Sequence, residues 1–262
     1  INAPRNTGSI LKPILYCMML EEGEILPGTL IPDIPTQYTG YSPKNFTLTY
    51  DGAVPARRAL ARSLNIPAAR MLQAHRFEKF YYYQLDELGI HTVRYPASQY
   101  GLSLILGGAE GSLWEITGVY ASMGRVLDRY NQSGQYLSDD IHPPVYIYHD
   151  KPVKQVMEGS ADNIHSFSAA SLWLTFQSLL DVNRPYSEAG WKSFSSSSKI
   201  AWKTGTSFGF RDGWAIGTSP DYTIGVWVGN ADGEGRPGLT GIAVAAPVLF
   251  DVFITLPRSN WF

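Results

Sequence analysis

The strand-forming pattern of this chain is concentrated near its C-terminus. After Ser198 the composition shifts, and three β-rich runs follow at Ile200–Thr206, Gly213–Gly217 and Thr223–Gly229. The last two are joined by a Thr-Ser-Pro-Asp-Tyr segment, which predicts a hairpin connection. Because helical patterns precede this meander and another follows it, the order of elements predicts an antiparallel sheet covered by helices.

Apolar periodicity and capping signals predict the helices. The stretch Ser9–Leu20 is apolar nearly all round, so it should form a buried helix that ends near Gly23. Further helices are predicted at Ala56–Arg62, from Pro67 to Phe77, from the capping box Ser112–Glu115 to about Arg125, at Ser168–Leu180, and at Ala243–Leu256 with a kink at Pro247. The segment Gly23–Asp51 is predicted to be irregular, and Pro144–Tyr148 to be a short β piece.

Composition excludes several classes of protein. The chain has 262 residues and is 44% hydrophobic, which is enough for one large domain. Its net charge of −2 argues against a nucleic-acid surface, and no apolar run approaches the ~18 residues of a membrane span. The single cysteine, Cys17, cannot form an internal disulfide. Neither a metal nor another cofactor is expected, because five histidines lack ligand spacing: His75, His91, His142, His149 and His165.

A Ser-x-x-Lys motif opens the first predicted helix. Ser9 and Lys12 are three positions apart, so they share one helix face. A neutral lysine there could accept the serine proton, and burial favours the neutral amine by lowering its pKa. The helix N-terminus also favours the negative charge that develops during attack. Ser9 is therefore the candidate nucleophile and Lys12 the candidate base.

A second motif, Ser63-Leu-Asn65, lies in the turn predicted between two helices. Ser63 and Asn65 are two positions apart and can both face a cleft, while Leu64 anchors the turn. A hydroxyl in such a cleft can relay a proton, and an amide can hold a peptide carbonyl. The pattern indicates a relay at Ser63 and a substrate contact at Asn65.

The third motif is Lys203-Thr-Gly-Thr206 on the first predicted strand of the meander. Alternation puts Thr204 and Thr206 on one face, where two hydroxyls and a nearby lysine would bind a carboxylate. Gly205 allows a substrate backbone to approach closely. Strict alternation would direct Lys203 to the opposite face, and twist at an edge strand could return it, so its orientation stays open.

The joint occurrence of the three motifs carries more weight than any one of them. Ser196-Ser-Ser-Lys199 also fits Ser-x-x-Lys, but it lies in a polar serine run without a helix and is interpreted as a chance match. The other three occur in order, each on the predicted type of element. This set is typical of penicillin-binding proteins and class A β-lactamases, and it indicates an acyl-transferring serine enzyme.

Over nearly its whole length the chain resembles the transpeptidase domain of class A penicillin-binding proteins, and it is most similar to their 1C branch. The segments that carry the resemblance are Arg5–Pro13, Tyr41–Asn45, Arg58–Pro67, Leu106–Glu110, Ala121–Gly124, Trp202–Trp214 and Gly225–Gly229. The resemblance implies an α/β (α+β) three-layer sandwich, with residues 1–262 forming one domain. It also implies action at the periplasmic, extracytoplasmic face of the bacterial inner membrane.

The resemblance implies a role for each matching residue. A D-alanyl-D-alanine stem peptide would acylate Ser9, an amine of a second stem peptide would resolve the acyl-enzyme, and β-lactams would acylate the same serine. Lys12 would be the base, Ser63 the relay, Asn65 a substrate-amide partner, and Lys203, Thr204, Gly205 and Thr206 the carboxylate site. The backbone N–H groups of Ser9 and Thr206 would form the oxyanion hole.

Two departures from the family pattern bear on the fold. Trp202 stands where many relatives carry glycine, so the shape of the cleft stays open. The family fold has two strands before the nucleophile helix, whereas eight residues precede Ser9 here. We therefore expect the native polypeptide to extend upstream of Ile1, first with strands that pair with the meander and then with a membrane anchor.

Three other functions compete with transpeptidation. A D,D-carboxypeptidase would differ only in using water as the acceptor, and a β-lactamase or β-lactam sensor would use the same motifs on the drug. A non-catalytic scaffold that keeps the pocket is disfavoured because all three motifs are intact.

Overall fold

The computed structural model describes residues 2–38, 40–85, 87–146, 167–186, 190–191 and 198–262. Within these ranges the helices are α1 (Lys12–Glu21), α2 (Ala56–Ala61), α3 (Asn65–His75), α4 (Phe77–Lys79), α5 (Ala97–Tyr100), α6 (Leu113–Ser133), α7 (Ala169–Leu180) and α8 (Ala246–Thr255). The strands are β1 (Arg5–Asn6), β2 (Leu30–Asp33), β3 (Gly52–Pro55), β4 (Glu110–Gly111), β5 (Ala201–Thr206), β6 (Asp212–Thr218) and β7 (Thr223–Gly229).

Three of the sequence interpretations fall wholly or partly outside these ranges. Of the five histidines interpreted as lacking ligand spacing, His149 and His165 are not among the described residues. Ser196, in the second Ser-x-x-Lys match, is not among the described residues. The β piece predicted at Pro144–Tyr148 is described only as far as Tyr146, and its described part is not a strand.

The predicted meander is confirmed as an antiparallel sheet in the order β5-β6-β7. Thr204 pairs with Ala215 across β5 and β6, and Trp214 pairs with Trp227 across β6 and β7. Alternation along β6 gives the sheet two buried faces, and all seven residues of the strand are buried. A strand covered on both faces requires a layer on each side.

Helices supply both layers. On one face of β6, a Cβ added to Gly217 would lie 2.9 Å from Phe253 of α8, so the helix packs directly on the strand backbone. On the other face, Trp214 forms an apolar cluster with Ile10, beside α1, and Tyr120 of α6. The predicted three-layer α/β architecture is therefore the observed one.

The nucleophile helix is buried as predicted but begins later. Ser9 to Leu11 form a turn in which the Lys12 N–H donates to the Ser9 carbonyl at 3.4 Å, and the α-helix starts at Lys12. Pro13, in the first helical turn, lacks an N–H that would have no helical partner there. Gly23, with φ of +68°, ends the segment.

The capping box at α6 forms only in part. The Ser112 hydroxyl accepts from the Glu115 N–H at 3.1 Å, as predicted. The Ser112 N–H, however, donates to the Thr92 hydroxyl at 3.0 Å, and that hydroxyl in turn donates to the Glu115 carboxylate. The helix continues past the predicted end at Arg125 and stops at Gly134, which has φ of +66°.

The expectation that Gly23–Asp51 is wholly irregular is wrong. It contains β2, which pairs antiparallel with β3 in the register Ile31 to Val54. The alternation that marks the strand covers four residues and includes Pro32, so it is too short to stand out in the sequence. A second short pair, β1 with β4, joins Arg5 to Gly111 and fixes the chain just ahead of Ser9.

Among the described helices, none combines the length and apolar character needed to cross a bilayer.

Candidate active site

The turn that carries Ser9 is anchored on its upstream side by the segment before α6. The Thr7 N–H and hydroxyl both donate to the Ala109 carbonyl at 3.0 Å, and the Asn6 amide donates to the Gly107 carbonyl at 3.0 Å. These bonds extend the short β1–β4 ladder up to the nucleophile. The motif residues 106–110, recognised only by their resemblance, thus hold Ser9 in position.

Two buried aromatic donors anchor the same turn, one on each side of Ser9. The Tyr120 hydroxyl donates to the Ile10 carbonyl at 2.7 Å, and the Trp214 indole donates to the Asn6 carbonyl at 2.9 Å. Tyr120 and Trp214 are fully buried, so these bonds form in a low-dielectric environment where breaking them is costly. The Ser9 hydroxyl itself hydrogen-bonds to none of the described residues, and Ser9 is partly exposed.

Two glycines bring the nucleophile turn against β5. Gly8 has φ of +57°, and a Cβ there would lie 2.5 Å from the Thr206 backbone nitrogen. A Cβ on Gly205 would lie 2.6 Å from the Thr7 carbonyl oxygen and 3.3 Å from the Ser9 nitrogen. Any side chain at either position would force the two backbones apart. The backbone nitrogens of Ser9 and Thr206 therefore both lie where the Ser9 turn touches β5.

Lys12 links the first two motifs. Its ammonium donates to the Ser63 carbonyl at 2.9 Å, the Leu64 carbonyl at 3.3 Å and the Asn65 side-chain oxygen at 2.7 Å. The residue is only 1% exposed. Burial, and then the nearby positive charge of Lys203, hold the pKa of Lys12 well below its ordinary value. A neutral amine is thus accessible at the position where the motif requires a base.

Lys203 is also buried beside this site, which decides the orientation that the sequence left open. Its ammonium donates to the Thr204 carbonyl at 2.7 Å, and burial lowers its pKa to about 7. Lys203, Thr204 and Ser63 line one cavity of about 280 Å³, with Phe46 at its rim. Both faces of β5 reach this cavity because β5 is an edge strand of the described three-stranded sheet.

The lowered pKa of Lys203 predicts that the stability of the protein depends on pH. Between about pH 7 and its ordinary pKa of 10.5, Lys203 is neutral in the folded protein and charged in the unfolded chain. The unfolded state then binds more protons, so the free energy of unfolding should rise as pH rises through this window. We expect the free energy of unfolding, measured by urea denaturation, to increase more between about pH 7 and about pH 9 for the native protein than for Lys203→Met. Equal increases would contradict the lowered pKa.

Asn45 positions the second motif and was not recognised from the sequence as a functional residue. It is 2% exposed, and its side-chain oxygen accepts from the N–H groups of Asn65 and Ile66 at 2.9 and 3.2 Å. Its amide donates to the buried Asp33 carboxylate at 2.7 Å. Asn45 therefore caps α3 from a distant loop and fixes the direction of Asn65. The Tyr41–Asn45 segment is among those that carry the family resemblance, but the role of Asn45 depends on tertiary contacts.

Substitution Asn45→Ala should destabilise the protein by about 2–4 kcal/mol, because it removes a helix cap and a bond to a buried carboxylate. Denaturant unfolding measures this change. A matched control is Thr49→Ala in the same loop, an exposed residue whose hydroxyl bonds only Thr47 at 2.7 Å. That control should stay within about 0.5 kcal/mol of the native protein. If both variants lose the same stability, Asn45 is not the positioning residue described here.

The predicted substrate contacts keep donors available. The Asn65 amide donates one hydrogen to the Lys44 carbonyl at 2.8 Å and has a second hydrogen for another acceptor. The Thr206 hydroxyl accepts from the Gly241 N–H at 3.0 Å, which leaves its own hydrogen to donate. Ser63 has φ of +56°, a left-handed conformation that is strained for a serine.

Trp202, whose effect on the cleft the sequence left open, does not line the cleft. Its side chain is fully buried, its indole donates to the Val182 carbonyl at 3.4 Å, and its ring meets that of Phe250 at 5.0 Å edge to face. The tryptophan fills the core between β5 and α8, and it is not among the residues that line the cavity.

One group of possible metal ligands forms on another face. Glu22, Glu24 and His75 lie with their ligand atoms within 4.8 Å of one another. His75 shares a 2.7 Å hydrogen bond with Glu24, and Lys79 pairs with both glutamates. A lysine already supplies the positive charge here, so the cluster behaves as an ion-pair network that joins α1 to α3 and α4.

Comparison with known proteins agrees with this geometry. No protein-family model matches the chain. It is 32% identical to penicillin-binding protein 1C of Escherichia coli K12 over 260 residues, which cover 99% of this chain and 30% of that protein. It is 26% identical to penicillin-binding protein 1A of Neisseria cinerea over 266 residues, which cover 95% of this chain and 31% of that protein.

Solved structures share the fold. The PonA1 protein from Mycobacterium tuberculosis in complex with penicillin V superposes with a TM-score of 0.72 at 18% identity, covering 100% of this chain and 72% of that one. The chain spans about 30% of the length of the curated relatives it matches. The chain is homologous to class A penicillin-binding proteins over nearly its whole length, and it shares the fold of a solved penicillin-binding protein structure.

Proposed function

We propose that this chain is a peptidoglycan D,D-transpeptidase domain that β-lactams inhibit by acylating Ser9. The observation that carries the proposal is the junction at Lys12, whose buried ammonium joins the nucleophile helix to the Ser63–Asn65 turn, with Lys203 close by. Three sequence motifs that are far apart in the chain meet there. The relatives named for penicillin binding, and the penicillin V complex with the same fold, support the assignment.

The first chemical step is acylation. Neutral Lys12 takes the Ser9 proton, and the serine oxygen attacks the carbonyl between the two D-alanines of a stem peptide. The backbone N–H groups of Ser9 and Thr206 stabilise the oxyanion, since the glycine contact brings those two nitrogens together. The C–N bond then breaks, and Ser63 relays the proton to the departing amine. The terminal D-alanine leaves, and the acyl group stays as an ester on Ser9.

Substrate orientation comes from the β5 edge. The terminal carboxylate binds near Lys203 and the hydroxyls of Thr204 and Thr206, where charge-assisted hydrogen bonds are strong. The second hydrogen of the Asn65 amide holds a peptide carbonyl. In the second step, an amine of another stem peptide attacks the ester and forms an amide. The amine loses its proton to Lys12, which passes it to the Ser9 oxygen as the ester bond breaks. A β-lactam acylates the same serine, but its amine stays tethered, so the ester persists.

Competing outcomes of this chemistry differ only in the acceptor. We propose transpeptidation rather than hydrolysis, acting on the extracytoplasmic side where peptidoglycan lies. The test is to supply a D-alanyl-D-alanine donor with and without an acceptor amine and to separate the products by mass. A cross-linked product supports the proposal. A hydrolysed donor alone would identify a D,D-carboxypeptidase, and rapid turnover of a chromogenic cephalosporin would identify a β-lactamase.

A further inference from the structure

A larger cavity lies next to the active-site cavity and is walled largely by arginine. Its volume is about 450 Å³. The residues that line it are Arg57, Arg58, Ala61, Arg62, Asp181 and Asn183. Ala61, Arg62 and Asn183 also line the active-site cavity, so the two spaces share a wall. This arginine groove therefore borders the place where the peptide substrate would lie.

The described residues do not balance the positive charges in the groove. Arg62 forms an ion pair with Asp51, whereas neither Arg57 nor Arg58 forms an ion pair with any described residue. Arg58, on α2, and Arg62, just after it, are four positions apart, a spacing at which like charges repel. Arg57 lies in the first turn of the helix, where the helix dipole disfavours a cation. Because the described lining residues include three arginines and one aspartate, they carry a positive excess.

The arginines extend from a fixed support. Ala56, Ala59 and Leu60 are buried on the inner side of α2. The Arg57 N–H donates to the Pro27 carbonyl at 3.0 Å, which ties the start of the helix to the neighbouring loop. The three arginine side chains are exposed, and they border a concavity that adjoins the active-site cavity.

We propose that the arginine groove binds a second carboxylate of the peptide substrate, distinct from the terminal carboxylate held at β5. Guanidinium groups match carboxylates through paired hydrogen bonds, which lysine cannot reproduce. The proposal rests on the transpeptidase function, because it assigns a further contact to the same reaction. The carboxylate can belong to the acyl donor or to the acceptor peptide. The two sources share one chemistry and differ in the step that they affect.

The test compares the double variant Arg57→Gln/Arg58→Gln with the native protein. The matched control is Arg258→Gln, an exposed arginine after α8 that lines neither cavity. Donor peptides are supplied with the second carboxylate free or amidated, and acceptor amines are supplied with or without a carboxylate. Loss of a charged hydrogen bond predicts a fall of about tenfold in kcat/KM for the carboxylate-bearing substrate. The amidated substrate and the control variant should show little change.

The step affected identifies the source. A slower acylation by the free-acid donor places the groove on the donor side, and an altered ratio of aminolysis to hydrolysis places it on the acceptor side. Equal losses for free and amidated substrates, or no loss for either, would overturn the proposal. Penicillin labelling of the variant should match that of the native protein. If the native protein neither binds penicillin covalently nor uses a donor, the transpeptidase function itself fails, which is a separate result.

Discussion

The variant Ser9→Ala is expected to lose covalent labelling by penicillin completely. The oxygen of Ser9 is the atom that would form the ester, and alanine offers no nucleophile in its place. The fold should survive, because the serine hydroxyl hydrogen-bonds to none of the described residues. Stability should therefore stay within about 0.5 kcal/mol of the native protein. Intact-protein mass after incubation with penicillin, together with a melting curve, measures both expectations.

The chance match at Ser196 gives the control for this experiment. The variant Ser196→Ala should carry one penicillin per chain at the native rate. Peptide mapping of the native adduct should place it on Ser9. An adduct that persists in Ser9→Ala, or that maps to Ser196, would contradict the assignment of the nucleophile and with it the proposed mechanism.

The variant Gly8→Ala should lose both stability and acylation. Its added Cβ would meet Thr206 backbone atoms at 2.5–2.8 Å, and these atoms cannot rotate away. Overpacking and a left-handed φ for alanine together predict a loss of about 2–5 kcal/mol. Separation of the turn from β5 would also pull the Ser9 and Thr206 nitrogens apart, so penicillin acylation should slow even where the protein remains folded.

A matched glycine separates these causes. Gly134, at the end of α6, has a similar φ of +66°, but nothing lies within 4 Å of a Cβ added there. The variant Gly134→Ala should therefore show only the backbone cost of about 1–2 kcal/mol, with normal acylation. Chemical denaturation and acylation kinetics on both variants make the comparison. If Gly8→Ala behaves like Gly134→Ala, the close contact between the nucleophile turn and β5 has no functional role.

Local patterns predicted the elements that depend on local interactions. The meander was readable because β-rich runs alternate with turn residues, and the start of α6 was readable because Ser112 caps it within four residues. The β2–β3 pair was missed because four residues interrupted by Pro32 give little pattern. The cap of α3 was missed for a different reason. Its acceptor, Asn45, is 20 residues away from Asn65, and nothing in the local sequence points to that pairing.

The sequence by itself determined the chemistry: a serine and lysine at helical spacing, a serine and asparagine in a turn, and a Lys-Thr-Gly-Thr strand. Residue type and spacing encode such units because each forms within one turn or one strand. Only the tertiary structure decided how these units meet. It turned Lys203 into the cleft, bound Lys12 to the Ser63–Asn65 turn, and placed Trp202 in the core. It also set three arginines around a cavity beside the site. These outcomes depend on contacts between distant segments, whose free energies are fixed by packing and burial and leave no local pattern in the chain.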